Sequence, residues 1–325
     1  MSRFLLLLEV VLFACAGTDA LAQADRAGGY PERAVRMVVP FGAGGGTDTI
    51  ARVMAATLRE SLGQPVIVEN KPGAQGIIAA ESVRNAPPDG YTVLLGTAGP
   101  MAANAAIYSK LPYHPLRDFI PVALIGTYPV IMVVNSSLPV SSVQELIGYA
   151  KARPDKVNYG TSGSVGQLVS EMFNQQAGTR FQYIPYKSSG DFVTALLANE
   201  VTMALSDTPP VSSQVRAGKL RALAITSPRR HHAWPDVPTM TEAGVSDFVV
   251  EFWNGLFVPA RTPAQVVHRL YAEIARAAAL PEVRERLNGL GIDPAAMPGE
   301  EFAGIVAADI ARWTAVARAA NIKAD

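Results

Sequence analysis

Two stretches of the chain carry residues whose types and spacing could do chemistry. In "YGTSGSVGQL" a strand-like run leads into a helical pattern, and Ser162-x-Ser164-x-Gly166 falls one residue short of the G-x-S-x-G elbow that presents a nucleophilic serine. Asp191 or Asp207, then His231, His232 or His268, follow in the order of a hydrolase triad, so a serine hydrolase using Ser164 is one reading. Against it, His231 and His232 sit in the charged, proline-flanked "SPRRHHAWPDVP", and His268 lies on an ordinary amphipathic helix pattern. The second stretch, "VVPFGAGGGTDTIARVM", has glycines at 42 and 44 to 46 just before a helix that opens with Thr47 and Asp48. A glycine-rich turn feeding a helix can cradle a phosphate, shape an oxyanion site or hold a small anion on backbone N–H groups. Nucleotides fit poorly: Thr47 stands where the third glycine of the dinucleotide fingerprint belongs, and no G-K-[ST] follows. Four scattered histidines and a single cysteine give no metal-ligand spacing, and no cofactor is expected.

The elements that must position these residues alternate. "VRMVVPF", "PVIVEN", "YTVLLGT" and "VIMVVN" read as strands, with helical patterns such as "TDTIARVMAATLRESL" and "GIIAAESVRNA" between the first three. The rhythm repeats in "VNYGTS", "GQLVSEMFNQQAG", "FQYIPY", "GDFVTALLAN", "VTMALSD", "VSSQVRAG" and "LRALAIT". After "FWNGLFVPA" the chain reads as almost purely helical. This predicts an α/β fold with largely parallel sheets in two lobes and a helical return. Ligands in open α/β sheets collect beyond the carboxyl ends of strands. Three such turns, 41–48, 96–99 and 160–166, are rich in small polar residues, a set suited to a carboxylate held by dipoles.

Composition narrows the classes. With 28 Lys plus Arg against 28 Asp plus Glu, the chain lacks the basic footprint of a nucleic-acid binder. "MSRFLLLLEVVLFACAGTDALAQA" has an early arginine, an apolar stretch from Phe4 to Ala16 and small residues offering cuts after Ala22 or Ala24, so residues 1–24 read as a secretory signal, despite Glu9 within the apolar stretch. Cys15 falls inside that segment, leaving a mature chain without thiol chemistry.

Blocks in order along the chain, among them "YPERAVRMVVPFGAGGGTDTIARVMA", "VIVENKPGAQGIIAAESV", "PPDGYTVLLGT", "LPYHPLRDFIPVALIG", "VNYGTSGSVGQLVSEMF", "IPYKSSGDFVTALLANEV" and "WPDVPTMTEAG", resemble the Bug family, the periplasmic solute receptors of tripartite tricarboxylate transporters. The resemblance runs from about residue 30 to the C-terminus. It implies a two-lobed periplasmic binding protein of the Venus-flytrap, type II-like kind, each lobe a sheet flanked by helices, closing on a small organic acid in the interlobe cleft. Lobe I is expected over 25–125 and 229–325, lobe II over 126–228. The resemblance assigns the ligand to Phe41, Gly44, Gly45, Gly46, Thr47 and Asp48 of the first loop, Thr97 and Ala98 of the second, and Ser162, Gly163, Ser164 and Asp207 of the facing lobe. Its partners would be the membrane permease subunits, or alternatively a sensor protein, and no catalysis is implied. One departure stands out: many relatives carry a Thr-His pair soon after the second loop, where this chain has "GPMAAN". Met101 is therefore expected to flank an apolar part of the ligand.

Overall fold

The structure is a computed structural model and describes residues 29–324; the expected signal segment, with Cys15, lies outside the described residues. β1 (Val35–Val39), β2 (Val66–Asn70) and β3 (Thr92–Thr97) are parallel, with β1 in the middle. α1 (Gly46–Leu62) links β1 to β2 and buries Ile50, Met54, Leu58 and Leu62, one face at helical spacing. It stops at Gly63, whose φ of 68° is the left-handed conformation that glycine adopts freely. α2 (Ile77–Arg84) leads on to β3. Beyond β3 come a π-helical turn (Gly99–Ala103) and the short α3 (Asn104–Ile107).

β4 (Phe119–Asn135) is 17 residues long and belongs to both halves of the sheet. There follow α4 (Val143–Lys151), β5 (Asn158–Thr161), α5 (Ser164–Ala177), β6 (Gln182–Pro185), α6 (Ser189–Leu197), β7 (Met203–Asp207), α7 (Thr208–Arg216) and β8 (Leu220–Ile225). The chain then returns through β9 (Glu251–Pro259), α8 (Ala264–Ala279), α9 (Pro281–Gly289), β10 (Asp293–Pro298) and α10 (Gly299–Ala319). The strand order is β2-β1-β3-β9-β4-β7-β5-β6, with β8 and β10 also on β4.

The α/β class and two-lobed layout agree with the sequence expectation; the strand directions differ from it. The ladders of β1 with β2 and β3, and of β5 with β6 and β7, are parallel. β9 runs antiparallel to both β3 and β4, and β4 antiparallel to β7, β8 and β10. A chain that leaves one lobe along β4 and comes back along β9 must lay these two strands in opposite senses. The tail is also not purely helical, because β10 forms a ladder on β4 with a register shift between Pro294 and Met297. Prolines carry no N–H for a ladder, so they suit the edge position that β10 takes.

Three apolar clusters fill the molecule. One, with Met37, Met54, Leu95, Leu256 and Ile274, lies under α1 and α8. Another, with Ile131, Phe192, Val211 and Trp234, lies on the far half of β4. The third takes Ala98 and Met101 from one side, Val165 and Leu168 from the other, and Trp253 and Trp313 from the return segment. Asp309 of α10 fastens that return: it accepts the Trp253 indole N–H at 2.7 Å and the Arg312 guanidinium at 2.7 Å.

Candidate functional site

The first loop leaves β1 through Phe41 and enters α1 with little side chain in the way. Gly42 to Gly45 are exposed. Gly44 has φ +84°, which calls for glycine, whereas Gly45 is the N-cap at φ −77°, ψ 169° with no side-chain cap. The opening N–H groups of α1, from Gly46, Thr47 and Asp48, have no partner within the helix and lie at its positive end. The loop is held from behind by Asp48. Its buried carboxylate accepts the Gly44 N–H at 2.9 Å, Arg52 Nε at 2.9 Å and Nη2 at 3.0 Å, and Asn70 Nδ2 at 2.9 Å. Asn70 also reaches the Phe41 carbonyl at 3.0 Å. Burial acts to raise the Asp48 pKa, but the hydrogen bonds from Arg52, Gly44 and Asn70 outweigh it and hold the carboxyl below its usual range. These contacts make Asp48 a strut for the loop, its oxygens already engaged.

The second and third loops meet. Thr97 and Ala98 are buried at the end of β3. Gly163 has φ +100°, a value that favours glycine, and Ser164, 2% exposed, opens α5 without a side-chain cap. Ser164 Oγ donates to Asn104 Oδ1 at 2.7 Å, and Asn104 Nδ2 donates to the Gln75 carbonyl at 3.1 Å. A Cβ placed on Gly99 would stand 3.7 Å from Thr97 Oγ1 and 3.9 Å from Ser164 Oγ, so the two loops close on each other here. Ser162, half-buried, has its Oγ 3.5 Å from Ser189 Oγ. The triad geometry is not assembled: Ser164 bonds to an asparagine, His231 and His232 face Asp293, and His268 is exposed on α8.

Asp207 ends β7 opposite Val130 of β4 and occupies the N-cap of α7. Its side chain makes no cap hydrogen bond; Ser206 Oγ reaches its Oδ1 at 3.3 Å. α7 begins at Thr208, three residues ahead of the start read from the sequence. Burial pushes the Asp207 pKa up, opposed by hydrogen bonds from its own backbone and from Ser206. Tyr128 lies near enough that the Asp207 charge adds to burial in raising the phenol. Asn254 pairs with Thr97 across one ladder and with Gly126 across the other, is fully buried beside the Tyr128 phenol, and has no well-formed hydrogen bond at Oδ1 or Nδ2 among the described residues. Met101 departs from expectation: it is fully buried in the core, with its Cγ 2.8 Å from where a Gly96 Cβ would sit.

Asn104, Asn254 and Asn70 carry much of this geometry, and none was singled out from the sequence. Asn104 stands inside the noted "GPMAAN" and Asn254 inside "FWNG", but neither has local spacing that marks it. A cavity of about 570 Å³ opens beside the first loop, lined by Ala43, Gly44, Asp48, Thr49, Arg52, Val53 and Arg286. None of Thr97, Ser164 and Asp207 borders it, so it lies on the outer flank of α1 and apart from the convergence of loops.

Comparison with known proteins agrees with this arrangement. Residues 50–322 match the tripartite tricarboxylate transporter family receptor. Protein BugT of Bordetella pertussis is 37% identical over 326 residues, covering 99% of each chain. Rpa4515 of R. palustris, solved with adipate, superposes with a TM-score of 0.86 at 36% identity, covering 90% of this chain and 99% of that one. MatC from Rhodopseudomonas palustris, with bound malate, gives 0.82 at 35% identity over 88% of this chain and 99% of its own. The periplasmic binding protein BugD gives 0.83 at 34%, covering 90% and 99%. The chain belongs to the tripartite tricarboxylate transporter receptor family, the solute-binding proteins of the Bug type.

Proposed function

We propose that this protein is a periplasmic receptor that captures a small organic carboxylate between its two lobes and delivers it to a tripartite tricarboxylate permease. The observation that supports the reading is the set of helix starts without side-chain caps at Gly45, Ala98, Gly163 and Asp207; their first-turn N–H groups are the donors assigned here to a carboxylate in the interlobe cleft. Adipate in Rpa4515 and malate in MatC support a carboxylate ligand. The ligand-binding set is Phe41, Gly44 to Thr47, Thr97, Ala98, Ser162 to Ser164 and Asp207, with Asp48 and Asn104 positioning the loops.

Lobe I comprises 25–125 and 229–325, lobe II 126–228, with the segment that follows 229 first packing back on the lobe II half through Trp234 and Val237 before β9 returns. β4 supports a junction in this region, since its β9 ladder runs to Pro129 and its β7 ladder starts at Val130. A ligand touching both lobes favours the closed arrangement by its differential contacts, and the permease reads that state. The N-terminal segment directs export, and the mature chain begins at Gln23 or Asp25.

The test is a thermal-shift screen of mono-, di-, tri- and aromatic carboxylates on the purified mature chain, followed by titration calorimetry. A ligand that binds only the native state raises its apparent stability, by about 2.7 kcal/mol at a hundred times Kd. No shift with any carboxylate, together with ester hydrolysis abolished by Ser164→Ala, would replace the receptor with the hydrolase reading.

A further inference from the structure

His231 and His232 lie on the segment that runs from β8 back towards β9. Just after them Ala233, Trp234 and Val237 pack into the cluster on the far half of β4. Asp293 comes from elsewhere: it starts β10, pairs with Thr127 on the near half of β4, and follows Ile292 of the cluster under α1 and α8. The imidazoles are thus anchored on one half of the molecule and the carboxylate on the other. His231 Nε2 lies 3.2 Å from Asp293 Oδ2 and His232 Nδ1 lies 3.4 Å from Oδ1, and the donor atoms of the three residues fall within 4.8 Å of one another.

Two features make this more than a surface ion pair. The His231 side chain is 4% exposed, yet among the described residues its Nε2 finds no well-formed hydrogen bond, only the contact with Asp293 Oδ2 at 3.2 Å; a buried polar atom so poorly satisfied is costly. Glu251, half-buried, lies close enough to Asp293 for the second charge to add to burial in raising its pKa. The two imidazole rings lie 4.2 Å apart.

We propose that His231, His232 and Asp293 form a site for one divalent transition cation of the zinc or nickel kind, at the junction of the two lobes. Two imidazole nitrogens with a carboxylate select such ions over magnesium or calcium, which prefer all-oxygen sets. The separations of 3.2 and 3.4 Å suit neighbouring ligands on an ion held at about 2.0–2.2 Å from nitrogen and oxygen. Ligation has a local cost. His231 Nδ1 now accepts the Ala233 N–H at 3.2 Å, and a cation at Nε2 moves the ring proton to Nδ1, so that contact must open. Affinity therefore falls below that of a closed four-ligand zinc site. With donors from both halves, the bound ion favours the arrangement in which they converge.

The experiment uses the chain without a polyhistidine tag, stripped with chelator and titrated with zinc chloride, then nickel chloride, by calorimetry and thermal shift. One cation per chain is expected, raising the melting temperature. Asp293→Asn and His232→Ala, both at half-exposed positions that the fold tolerates, each weaken binding by about tenfold or more. His268→Ala, on the exposed face of α8, leaves it unchanged. No binding at millimolar cation, binding untouched by Asp293→Asn and His232→Ala, or loss on His268→Ala overturns the site.

Discussion

Gly45→Val separates a loop that holds the ligand from a loop that merely turns. Gly45 has φ −77° and ψ 169°, a conformation open to any residue, and a Cβ there would meet only the Gly42 carbonyl oxygen, at an ordinary 3.6 Å. The substitution therefore carries neither the backbone strain nor the clash that a glycine run leads one to expect. Its stability cost is that of a poorer N-cap, about 1 kcal/mol. Gly44→Val, one residue earlier at φ +84°, adds backbone strain of about 1–3 kcal/mol. At the ligand, the valine isopropyl group occupies the space through which a carboxylate oxygen approaches the N–H groups of α1. Losing one or two charge-assisted hydrogen bonds at about 1.5–3 kcal/mol apiece weakens binding by about tenfold or more. Calorimetric titration of the folded mutant, with whichever carboxylate shifts the wild-type melting temperature, gives the answer. A Gly45→Val protein that melts near wild type and binds within about threefold of it removes the first loop from the site, because a hydrogen-bonded contact is worth more than that.

The other expectations concern the supports around that loop. Asp48→Ala removes the acceptor of the Gly44 N–H and of one Asn70 N–H, the amide keeping its bond to the Phe41 carbonyl, and costs about 1–2 kcal/mol and a few degrees in a thermal melt, with ligand affinity falling as the loop loosens. Because its folded pKa is depressed, the stability that Asp48 supplies is full above its unfolded value near about 4 and is lost as pH falls through the folded value; melts of wild type and Asp48→Asn should converge in acid. Asp207 has the opposite sign: with a raised folded pKa it favours the fold when protonated, and that contribution is lost as pH rises through the raised value, so Asp207→Asn stabilises at neutral pH. Asp207→Asn should also tighten binding of a plain dianion and weaken a ligand bearing an ammonium group, read by the same titration. Asn104→Ala leaves Ser164 Oγ and the Gln75 carbonyl without their partner and should weaken ligand binding more than Ser164→Ala does; equal effects refute Asn104 as the link between the loops.

Much of the fold was legible because its signals are local. The β-branched runs, the i, i+4 face of α1 and the glycine at its C-terminus all lie within a helix or strand length of each other. The antiparallel course of β9 was not legible, since it depends on where the chain crosses between lobes, and the run "FWNGLFVP" has no mark of direction. The loops at 41–48, 97–98 and 162–164 were readable from their glycine and hydroxyl content, but the division of labour within them was not. Asp48 looks like any acidic residue in a first helical turn until Arg52, Asn70 and Gly44 are seen to converge on it. Met101 was misread for the converse reason: a flexible thioether at a loop edge and one buried against Phe257 have the same sequence neighbours. The union of His231 and His232 with Asp293 spans a chain separation that no spacing rule covers.

The placement of β9 constrains how the chain can be assembled or divided. It sits between β3 and β4, pairing Leu94 with Phe257 and Thr127 with Trp253, yet it is made after everything from β4 to β8. Until it inserts, β3 and β4 present two facing rows of unsatisfied backbone groups, the kind of open edge that recruits strands from other molecules. Closing so long a loop is entropically costly and belongs to the slow end of folding. A fragment ending before Glu251 would then aggregate even though it contains every glycine loop and Asp207. A circular permutant opened in the exposed turn after β9, near Arg261, that starts the chain there and closes the old ends by a linker leaves β9 last of all and should refold more slowly still.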